Sequence, residues 1–497
     1  MPTGVPGMDV VLNGGLLRGA MYLVTGEPGT GKTVLSSQVA FQRAAAGENV
    51  VYVTSLSESH ARLLSNLESF EFFDRSLIQS RITFLSAIST LEEGGLDKLQ
   101  ALVSQAVRTH HASLLVLDNL GSVSEVAPSP FAYRKCLRDI GAVLTLIGCT
   151  ALLLAPQRPP QEGLEQFAAD GIIDLSQQMS GMRQTRELRV RKFRGSPHLQ
   201  GLHVFEISAS GITLYPRREV LLLKRELATA LPSGRSGFGI AGLDDMLKGG
   251  LVSSSMTALV GAPGSGKTLL GLNLLAEGLR AGQPCLYLGF NEMPPRLLSK
   301  AEGVGLGLAE YVRTGQLELL WRQPTEQLLD VIAEQLLEVV YRRKVRRLFL
   351  DGLDGLLQAA THLERFPSFL IALTNELRSL EVTSAISMAA SFSGPEFGMA
   401  PQDLPASMDN LILVRYVELR ARLHRLISIL KVRESDYDPD LREFRITARG
   451  LEVASTSESA EAILGERSGR IPAPLSHARG RPTSADPPTS GGSGGGV

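Results

Sequence analysis

The sequence is short of cysteine and of net charge, and each shortage narrows the class of protein. It has three cysteines in 497 residues, without paired or metal-ligand spacing, which argues against a disulfide or zinc framework. This thiol content fits a reducing cytoplasm. The formal net charge of −1 supplies no overall basic field, so neither nucleic acid nor an anionic membrane is a predicted partner.

Long apolar runs and targeting segments are missing as well. No window reaches about 18 consecutive apolar residues, so no membrane span is predicted. The first residues, MPTGVPGMD, have neither a basic start nor a long apolar run, so no signal peptide is predicted there. Together with the cysteine content, these features predict a cytoplasmic protein.

The chain repeats itself over a long period. The segment TGVPGMDVVLNGGL (3–16) returns as SGFGIAGLDDMLKGGL (236–251). Gly7 and Gly242 differ by 235 positions, and Lys32 and Lys267 also differ by 235. Equal offsets at two separated landmarks predict two copies of one domain in tandem rather than a solenoid of short repeats.

The repeat and the composition suggest where the domains end. We predict a first domain at residues 1–225, a second at 226–465 and a tail at 466–497. The character of the sequence changes across 217–235, where the boundary between the domains is expected. The tail is rich in Pro, Gly, Ser and Arg, lacks the apolar content for a core, and is predicted to be disordered.

Each copy alternates short apolar strands with helical patterns. In the first copy MYLVT (21–25) and SLLVLD (113–118) have the character of buried strands, and a helical pattern follows the first of them. Strands alternating with helices predict an α/β fold, with mostly parallel sheets covered by helices on both faces. Each copy ends in alternating β-rich segments, which are expected to form hairpins at one side of the sheet.

Two glycine-rich loops have the spacing of phosphate-binding P-loops, GEPGTGKT (26–33) and GAPGSGKT (261–268). Glycines let the backbone curl so that its N–H groups point at phosphates, while the lysine brings a positive charge to the β and γ phosphates. The following helix adds its positive N-terminal end. The predicted nucleotide-binding residues are Gly26, Gly29, Thr30, Gly31, Lys32 and Thr33 in the first copy, and Gly261, Gly264, Ser265, Gly266, Lys267 and Thr268 in the second.

An aspartate ends one apolar strand in each copy. LLVLD ends at Asp118 and LFLD ends at Asp351. With a P-loop in the same domain, such a carboxylate is predicted to hold Mg²⁺ together with the loop hydroxyl, Thr33 or Thr268. The alternative is an aspartate that only caps the following turn.

The third shared element is an acidic turn after the second strand, SLSESHARLL (55–64) and FNEMPPRLL (290–298). With the loops and the strand-end aspartates, this pattern resembles the KaiC family of RecA-like ATPases with duplicated cores. The resemblance covers nearly everything from Thr3 to about Arg449. It implies two tandem RecA-like P-loop NTPase domains and ATP with Mg²⁺ as ligands.

In that family the acidic turn carries two adjacent glutamates before a Leu or Ile pair, and one glutamate acts as the base. Aligned on the leucine pairs, Glu58 and Glu292 match the second glutamate, whereas Ser57 and Asn291 replace the first. The resemblance therefore implies catalytic roles for Glu58 and Glu292, with an incomplete pair in both copies. Because general-base catalysis contributes about 10²–10⁴-fold, slow turnover is expected.

The family also places a Lys-x-Arg-Gly…His motif on a late strand, from which its cations contact the γ-phosphate held by a neighbouring subunit. The first copy matches this motif at KFRGSPH (192–198), and the second matches it in part at KVRESDYD (431–438). In the second copy Glu434 replaces the glycine and the histidine is missing. The residues implied in contacts across an interface are Lys192, Arg194, His198, Lys431 and Arg433; the alternative is an ordinary basic edge strand.

Self-phosphorylating members of the family carry a Ser-Thr pair shortly before the strand that begins here at Asp409. The matching positions are Pro405 and Ala406, neither of which has a hydroxyl, and Ser407 follows them. The resemblance therefore does not extend to a clock-type phosphorylation cycle.

The resemblance implies a homo-hexameric ring that binds ATP, hydrolyses it slowly and signals through protein partners. The first copy keeps more of the family motifs and is predicted to be the more hydrolytic site, while the second mainly binds ATP. Two alternatives stay open. One is a protein serine/threonine kinase or autokinase, and the other is a DNA-dependent ATPase, against which the near-neutral charge speaks.

Overall fold

The computed structural model describes residues 1–55, 60–157, 166, 168–221, 234–323, 327–390 and 407–468. The predicted boundary between residues 225 and 226 lies outside these ranges, as does the predicted tail beyond residue 468. Within the described part of the chain, no helix is both long and apolar enough to cross a membrane.

The first half of the chain forms a nine-stranded sheet with helices. Its strands are β1 Met21–Gly26, β2 Val50–Thr54, β3 Ile82–Ser86, β4 Leu114–Asp118, β5 Thr150–Pro156, β6 Gly171–Ser180, β7 Arg183–Phe193, β8 Leu202–Ser208 and β9 Gly211–Tyr215. Its helices are α1 Met8–Val11, α2 Lys32–Ala45, α3 His60–Leu67, α4 Ile88–Thr109, α5 Leu120–Val126, α6 Pro130–Ile147 and α7 Arg218–Leu221.

The second half repeats this architecture with β10 Arg235–Ser236, β11 Leu251–Val252, β12 Met256–Gly261, β13 Cys285–Gly289, β14 Leu317–Trp321, β15 Arg347–Asp351, β16 Thr383–Ala389, β17 Asn410–Leu419, β18 Arg422–Val432, β19 Arg442–Thr447 and β20 Gly450–Val453. Its helices are α8 Ala241–Met246, α9 Lys267–Arg280, α10 Pro294–Glu302, α11 Leu308–Arg313, α12 Leu329–Arg343, α13 Leu353–Ala359, α14 Phe366–Ser379 and α15 Glu458–Ser468. Strands β10 and β11 form a separate two-stranded ribbon.

The two large sheets have the same strand order. It is β3-β2-β4-β5-β1-β6-β7-β8-β9 in the first and β14-β13-β15-β16-β12-β17-β18-β19-β20 in the second. The first six strands of each are parallel, and the last three continue as an antiparallel ribbon. The predicted fold of two tandem α/β domains with mostly parallel sheets is confirmed, and the late β-rich segments pair as expected.

Each sheet is buried on both faces because its central strands are apolar throughout. In β1, Tyr22 and Val24 pack into one apolar cluster, whereas Met21 and Leu23 pack into the cluster on the opposite face. Helix α2 covers the first face, and α4 and α6 cover the second. With helices packed on both faces, the carboxyl ends of the parallel strands β1 and β4 lie side by side at the same end of the sheet, where parallel α/β folds bind ligands.

The two halves contact each other through a cluster of charged side chains that we call the domain junction. The Arg365 guanidinium forks onto Asp330 at 2.6 and 2.9 Å and onto Glu219 at 2.8 and 2.9 Å. Burial raises the pKa of the Glu219 carboxyl, but Arg365 outweighs this and holds the pKa below its usual range. The Arg218 guanidinium pairs with Glu334 and, at 3.6 Å, with Glu376.

Strand β7 adds further contacts to the domain junction. Arg183 donates to the Gln327 carbonyl oxygen at 2.7 Å, and the Glu187 carboxylate lies 2.8 Å from the His362 ring. Nearby, Val204 packs with Leu328 and Val331 in a small apolar cluster. Because these contacts join residues more than 100 positions apart, they fix how the late strands of the first half meet the second half.

His203 predicts an acid-sensitive stability. Its Nδ1 accepts from the Arg217 N–H at 3.2 Å, and its Nε2 lies 3.3 Å from the Leu199 carbonyl oxygen. Burial, aided by nearby Arg217 and Arg365, lowers the pKa of His203 to about 4. In the unfolded chain the pKa of this histidine is near 6.5, so the unfolded state binds a proton at a higher pH than the folded state does. The contribution of His203 to the free energy of unfolding is therefore fully present above about pH 6.5 and is lost as the pH falls toward 4.

We therefore expect the free energy of unfolding to drop by about 2 kcal/mol more between pH 7 and pH 4.5 in the parent chain than in the His203→Gln variant. Urea denaturation at both pH values measures this difference. His110→Gln, at an exposed position, is the control and should behave as the parent does. An identical acid sensitivity of the parent and His203→Gln chains would contradict the assignment.

Candidate nucleotide-binding sites

The first P-loop lies between β1 and α2, at the carboxyl edge of its sheet. The Lys32 ammonium crosses the loop and donates to the Gly26 carbonyl oxygen at 2.7 Å and to the Glu27 carbonyl oxygen at 2.9 Å. Burial lowers the pKa of Lys32, with the Asp118 carboxylate opposing this shift. A triphosphate entering the loop would offer this half-buried cation a stronger acceptor than the two carbonyls.

The second P-loop, between β12 and α9, has the same geometry. Lys267 donates to the Gly261 and Ala262 carbonyl oxygens at 2.7 and 2.9 Å. Burial lowers the pKa of Lys267 also, against the opposing charges of Asp351 and Asp354. The lysines of the two copies therefore have the same hydrogen-bond partners and the same direction of pKa shift, as expected if both loops have the same function.

The glycine before each lysine is required by the backbone. Gly31 and Gly266 precede α2 and α9 with φ of 103° and 110°. A Cβ on Gly31 would come within 2.8 Å of the Ile207 side chain, and one on Gly266 within 2.8 Å of the Phe444 ring. Both positions therefore need glycine to aim the first N–H groups of the helix into the loop. Gly29 and Gly264 lie in the same loops and also have positive φ.

Thr30 and Ser265 were predicted to bind nucleotide, and the structure turns both side chains inward. The Thr30 hydroxyl donates to the Glu27 carbonyl oxygen at 2.8 Å, and Ser265 is fully buried with its side chain beneath Gly261. The Thr30 hydroxyl therefore braces the first loop from below, whereas the enclosed Ser265 hydroxyl has no hydrogen-bond partner within the described residues. Any contact of these residues with phosphate is left to their backbone.

The aspartate and the loop threonine meet in both copies. The Thr33 hydroxyl donates to the Asp118 carboxylate at 3.0 Å, and Thr268 donates to Asp351 at 3.2 Å. Hydroxyl and carboxylate oxygens so placed fit Mg²⁺, a hard cation that prefers oxygen ligands. Each pair would hold one ion in its own domain, and the ion would neutralise charge on the phosphate oxygens.

A buried tyrosine that the sequence reasoning missed lies behind each aspartate. The Tyr52 hydroxyl is 3.5 Å from Asp118, and the Tyr287 hydroxyl is 3.1 Å from Asp351. The second site adds the Ser387 hydroxyl, which donates to Asp351 at 2.7 Å. The tyrosines could have been found, because they too lie 235 positions apart within matching strands.

Within the described parts of the two copies, only the second loop has a side-chain brace from the late strands. The Tyr416 hydroxyl on β17 donates to the Gly264 carbonyl oxygen, and the Arg425 guanidinium lies 5.2 Å from the centre of the Tyr416 ring. Strands β6 and β17 pair with β1 and β12 in the same register, which places Gln177 at the corresponding position of the first copy. The brace therefore distinguishes the two loops.

Of the two predicted catalytic glutamates, Glu58 lies outside the described residues. Glu292 lies just before α10, and its carboxylate forms an ion pair with the Lys300 ammonium. Positions 405 and 406, which bear on phosphorylation, also lie outside the described residues. The Ser407 hydroxyl is enclosed and has no hydrogen-bond partner within the described part of the chain.

The cations of the first KaiC-like motif lie at the end of β7. The Lys192 ammonium donates to the Ala169 carbonyl oxygen at 2.6 Å, and burial together with nearby Arg194 lowers the pKa of Lys192. Arg194 is 62% exposed and lies 3.7 Å from Asp170. The His198 ring lies beside Phe193 with centroids 6.2 Å apart.

The second motif repeats this arrangement at the end of β18. Lys431 donates to the Met408 carbonyl oxygen at 2.8 Å, and Arg433 pairs with Asp409 at 3.3 Å. Asp409 is also held by Arg378 at 2.8 Å. The lysine and arginine of both motifs therefore occupy equivalent places, and among the described residues a second guanidinium is found on Asp409 but not on Asp170.

These cations lie near the amino-terminal ends of the parallel strands, whereas the P-loop of each domain follows the carboxyl end of a strand. Asp170, beside Arg194, accepts from the Met21 N–H at 3.0 Å, whereas the loop begins at Gly26. Five residues of extended strand span about 17 Å, more than an arginine side chain reaches. The structure does not bring Arg194 together with Lys32. The same holds in the second copy, where Asp409 accepts from the Met256 N–H at 3.0 Å.

Two mostly parallel sheets, each with a glycine loop before a helix and an aspartate at the end of a nearby strand, define a tandem RecA-like P-loop ATPase. The family model described as "ATPase: KaiC" matches residues 1–219 and again residues 237–458. The chain belongs to the KaiC ATPase family and binds ATP, as the family resemblance of the motifs implied.

Two relatives illustrate how far the similarity extends. The chain is 27% identical over 478 residues to the "Circadian clock protein KaiC3" of Synechocystis, with 93% of each chain covered. It is 26% identical over 481 residues to the "Circadian clock oscillator protein KaiC" of Picosynechococcus, covering 94% of this chain and 92% of that one. The similarity thus runs through both domains.

Proposed function

We propose that this protein is a slow ATPase whose sites form between the subunits of a ring, and that it signals through protein partners. Each site combines the P-loop, the strand-end aspartate and Mg²⁺ of one subunit with the lysine and arginine of the next. The first-domain site is the more hydrolytic one, and the second mainly binds ATP and holds the ring together. Six subunits, the homo-hexamer that the family resemblance implies, would close the ring.

The observation that carries this proposal is the separation of Arg194 from the P-loop of its own domain. A cation can stabilise the charge of phosphoryl transfer only where it touches the phosphate. Arg194 lies beside Asp170 at the opposite end of β1 from its own loop, and β1 is about 17 Å long, so a phosphate role requires a second copy. Head-to-tail contact between different faces of identical chains closes into rings when the rotation permits.

Slow turnover follows from the acidic turns. Ser57 and Asn291 stand where the family has a first glutamate, and neither side chain accepts a proton at neutral pH. Glu58 and Glu292 are then the remaining candidates for the base. A slow ATPase suits a switch that holds one nucleotide state long enough for a partner to read it. Two of the relatives carry circadian-clock names, which supports a signalling role.

A mixing experiment tests the shared sites. We expect Lys32→Ala and Arg194→Ala chains to be nearly inactive alone at the first site. Mixed in equal amounts and allowed to exchange subunits, they should recover about one quarter of the parental turnover, because one neighbour pair in four joins an intact loop to an intact arginine. Phosphate release above the Lys32→Ala baseline measures the recovery, and light scattering sizes the particle.

Arg189→Ala is the matched control, since Arg189 is an exposed cation on the same strand. It should keep parental turnover without mixing. Absence of any recovery, or a particle that stays a single chain when saturated with ATP and Mg²⁺, would reject sites shared between subunits.

A further inference from the structure

The candidate base of the second site is held by a lysine that the KaiC-like motifs do not include. Lys300 lies in the last turn of α10, and its ammonium forms an ion pair with Oε1 of Glu292, which precedes the same helix. The two side chains are 37% and 29% exposed, so the pair is neither free in solvent nor fully enclosed. The contact spans eight residues and folds Glu292 back along the helix.

The second carboxylate oxygen marks the direction in which Glu292 faces. Oε2 is enclosed and, within the described part of the chain, has no hydrogen-bond partner. The charge of Glu292 also contributes, after burial and Asp351, to raising the pKa of the Tyr287 hydroxyl, which donates to Asp351. Glu292 therefore lies near the strand end that carries the predicted Mg²⁺ ligand, with Oε1 occupied by Lys300 and Oε2 enclosed and unpaired within the described residues.

The first copy differs at the matching position. Aligned on the leucine pairs at 63–64 and 297–298, Lys300 corresponds to Asn66. Asparagine carries no charge, so the first acidic turn has no ammonium at that place. The difference falls on the copy that the motifs already mark as the less hydrolytic one.

We propose that Lys300 is a positioning residue that restrains hydrolysis at the second P-loop by holding the Glu292 carboxylate. This inference rests on the proposed function, in which Glu292 is the base of that site. The pair occupies Oε1 of Glu292, fixes the carboxylate along α10 and so limits its rotation toward an attacking water.

The test uses the full-length chain with the first site disabled by Lys32→Ala, so that the remaining turnover belongs to the second site. In this background Lys300→Asn should raise kcat about fivefold, the factor that corresponds to releasing a partly exposed ion pair. KM should stay within about twofold, since Lys300 is not a predicted phosphate ligand. Lys300→Arg should restore the low rate because it restores the pair.

Two further variants separate restraint from a general structural effect. Glu292→Gln added to Lys300→Asn should abolish the rise, since no carboxylate is left to release. Arg296→Asn, which removes an exposed cation from the same helix, should leave kcat unchanged. In the reciprocal experiment, Asn66→Lys in a Lys267→Ala background should lower turnover at the first site.

The outcomes also separate this inference from the proposed function. An unchanged or lower kcat in Lys300→Asn, or a rise that persists with Glu292→Gln, overturns the restraint. Binding of a fluorescent ATP analogue, measured in the same Lys32→Ala background, tests the loop itself. If the analogue binds but no variant shows turnover, the restraint is overturned while ATP binding stands; if the analogue fails to bind, both fail.

Discussion

Lys32→Ala is expected to lower ATP turnover at the first site by about 10²-fold, the usual cost of removing one preorganised donor to developing charge. The Lys32 ammonium is half-buried and aimed at the mouth of its loop by the Gly26 and Glu27 carbonyls. Because the matching Lys-x-Arg-Gly…His motif is complete only in the first copy, most of the turnover should depend on this loop. Phosphate release with saturating ATP and Mg²⁺ measures the effect.

Lys267→Ala is the matched variant, since its side chain has the same two contacts at the same distances. At protein concentrations at which the ring stays assembled it should leave most of the turnover, but its ring should dissociate at a higher protein concentration than the parental ring, because the second site is proposed to bind ATP for assembly. Particle size with and without ATP reports this. A loss of turnover in Lys267→Ala that exceeds the loss in Lys32→Ala would reverse the ranking of the two sites.

The second large effect is expected at the domain junction, where Arg365→Ala should lower the free energy of unfolding by about 3–5 kcal/mol. The variant leaves two carboxylates without their shared guanidinium: that of the buried Asp330, whose side chain is 2% exposed, and that of the partly buried Glu219, whose side chain is 15% exposed. The cost arises from these uncompensated charges more than from the lost attraction. Urea denaturation at neutral pH measures the change.

Arg346→Ala serves as the control because its ion pair with Glu381 is exposed, at 45% and 71%. Exposed pairs contribute about 0–1 kcal/mol, so a small change is expected. Replacing Arg365, Glu219 and Asp330 together by apolar residues of similar volume should recover most of the loss. Equal destabilisation by Arg346→Ala and Arg365→Ala would show that burial of the charges is not the cause.

Local patterns were sufficient to predict the fold. Apolar strands alternating with helical periodicity, and landmarks repeated 235 positions apart, are sufficient to predict two α/β copies. The glycine loops were equally clear, because spacing and backbone conformation are tied at positions such as Gly31 and Gly266. The contact of each loop with Asp118 or Asp351 follows because the carboxyl ends of parallel strands lie at the same end of the sheet.

Contacts between distant parts of the chain could not be predicted in the same way. Arg365 joins Asp330 and Glu219, and nothing in the spacing of these residues marks them as partners. The ion pair of Lys300 depends on how Glu292 folds back along α10, which no periodicity specifies. The place of Arg194, at the end of the sheet away from its own P-loop, could be derived only from the register of β6 and β7. A motif gives residue types but not the end of the sheet at which they lie.

Strand β7 joins two features that the sequence presents as unrelated. In its first half, Arg183 and Glu187 contact the second half of the molecule. Lys192 at its end and Arg194 just after it lie far from the nucleotide loop of their own domain. An extended strand within a sheet is stiff along its length, so its two ends move together. A tilt of the second half that preserves the contacts of Arg183 and Glu187 therefore also displaces Lys192 and Arg194.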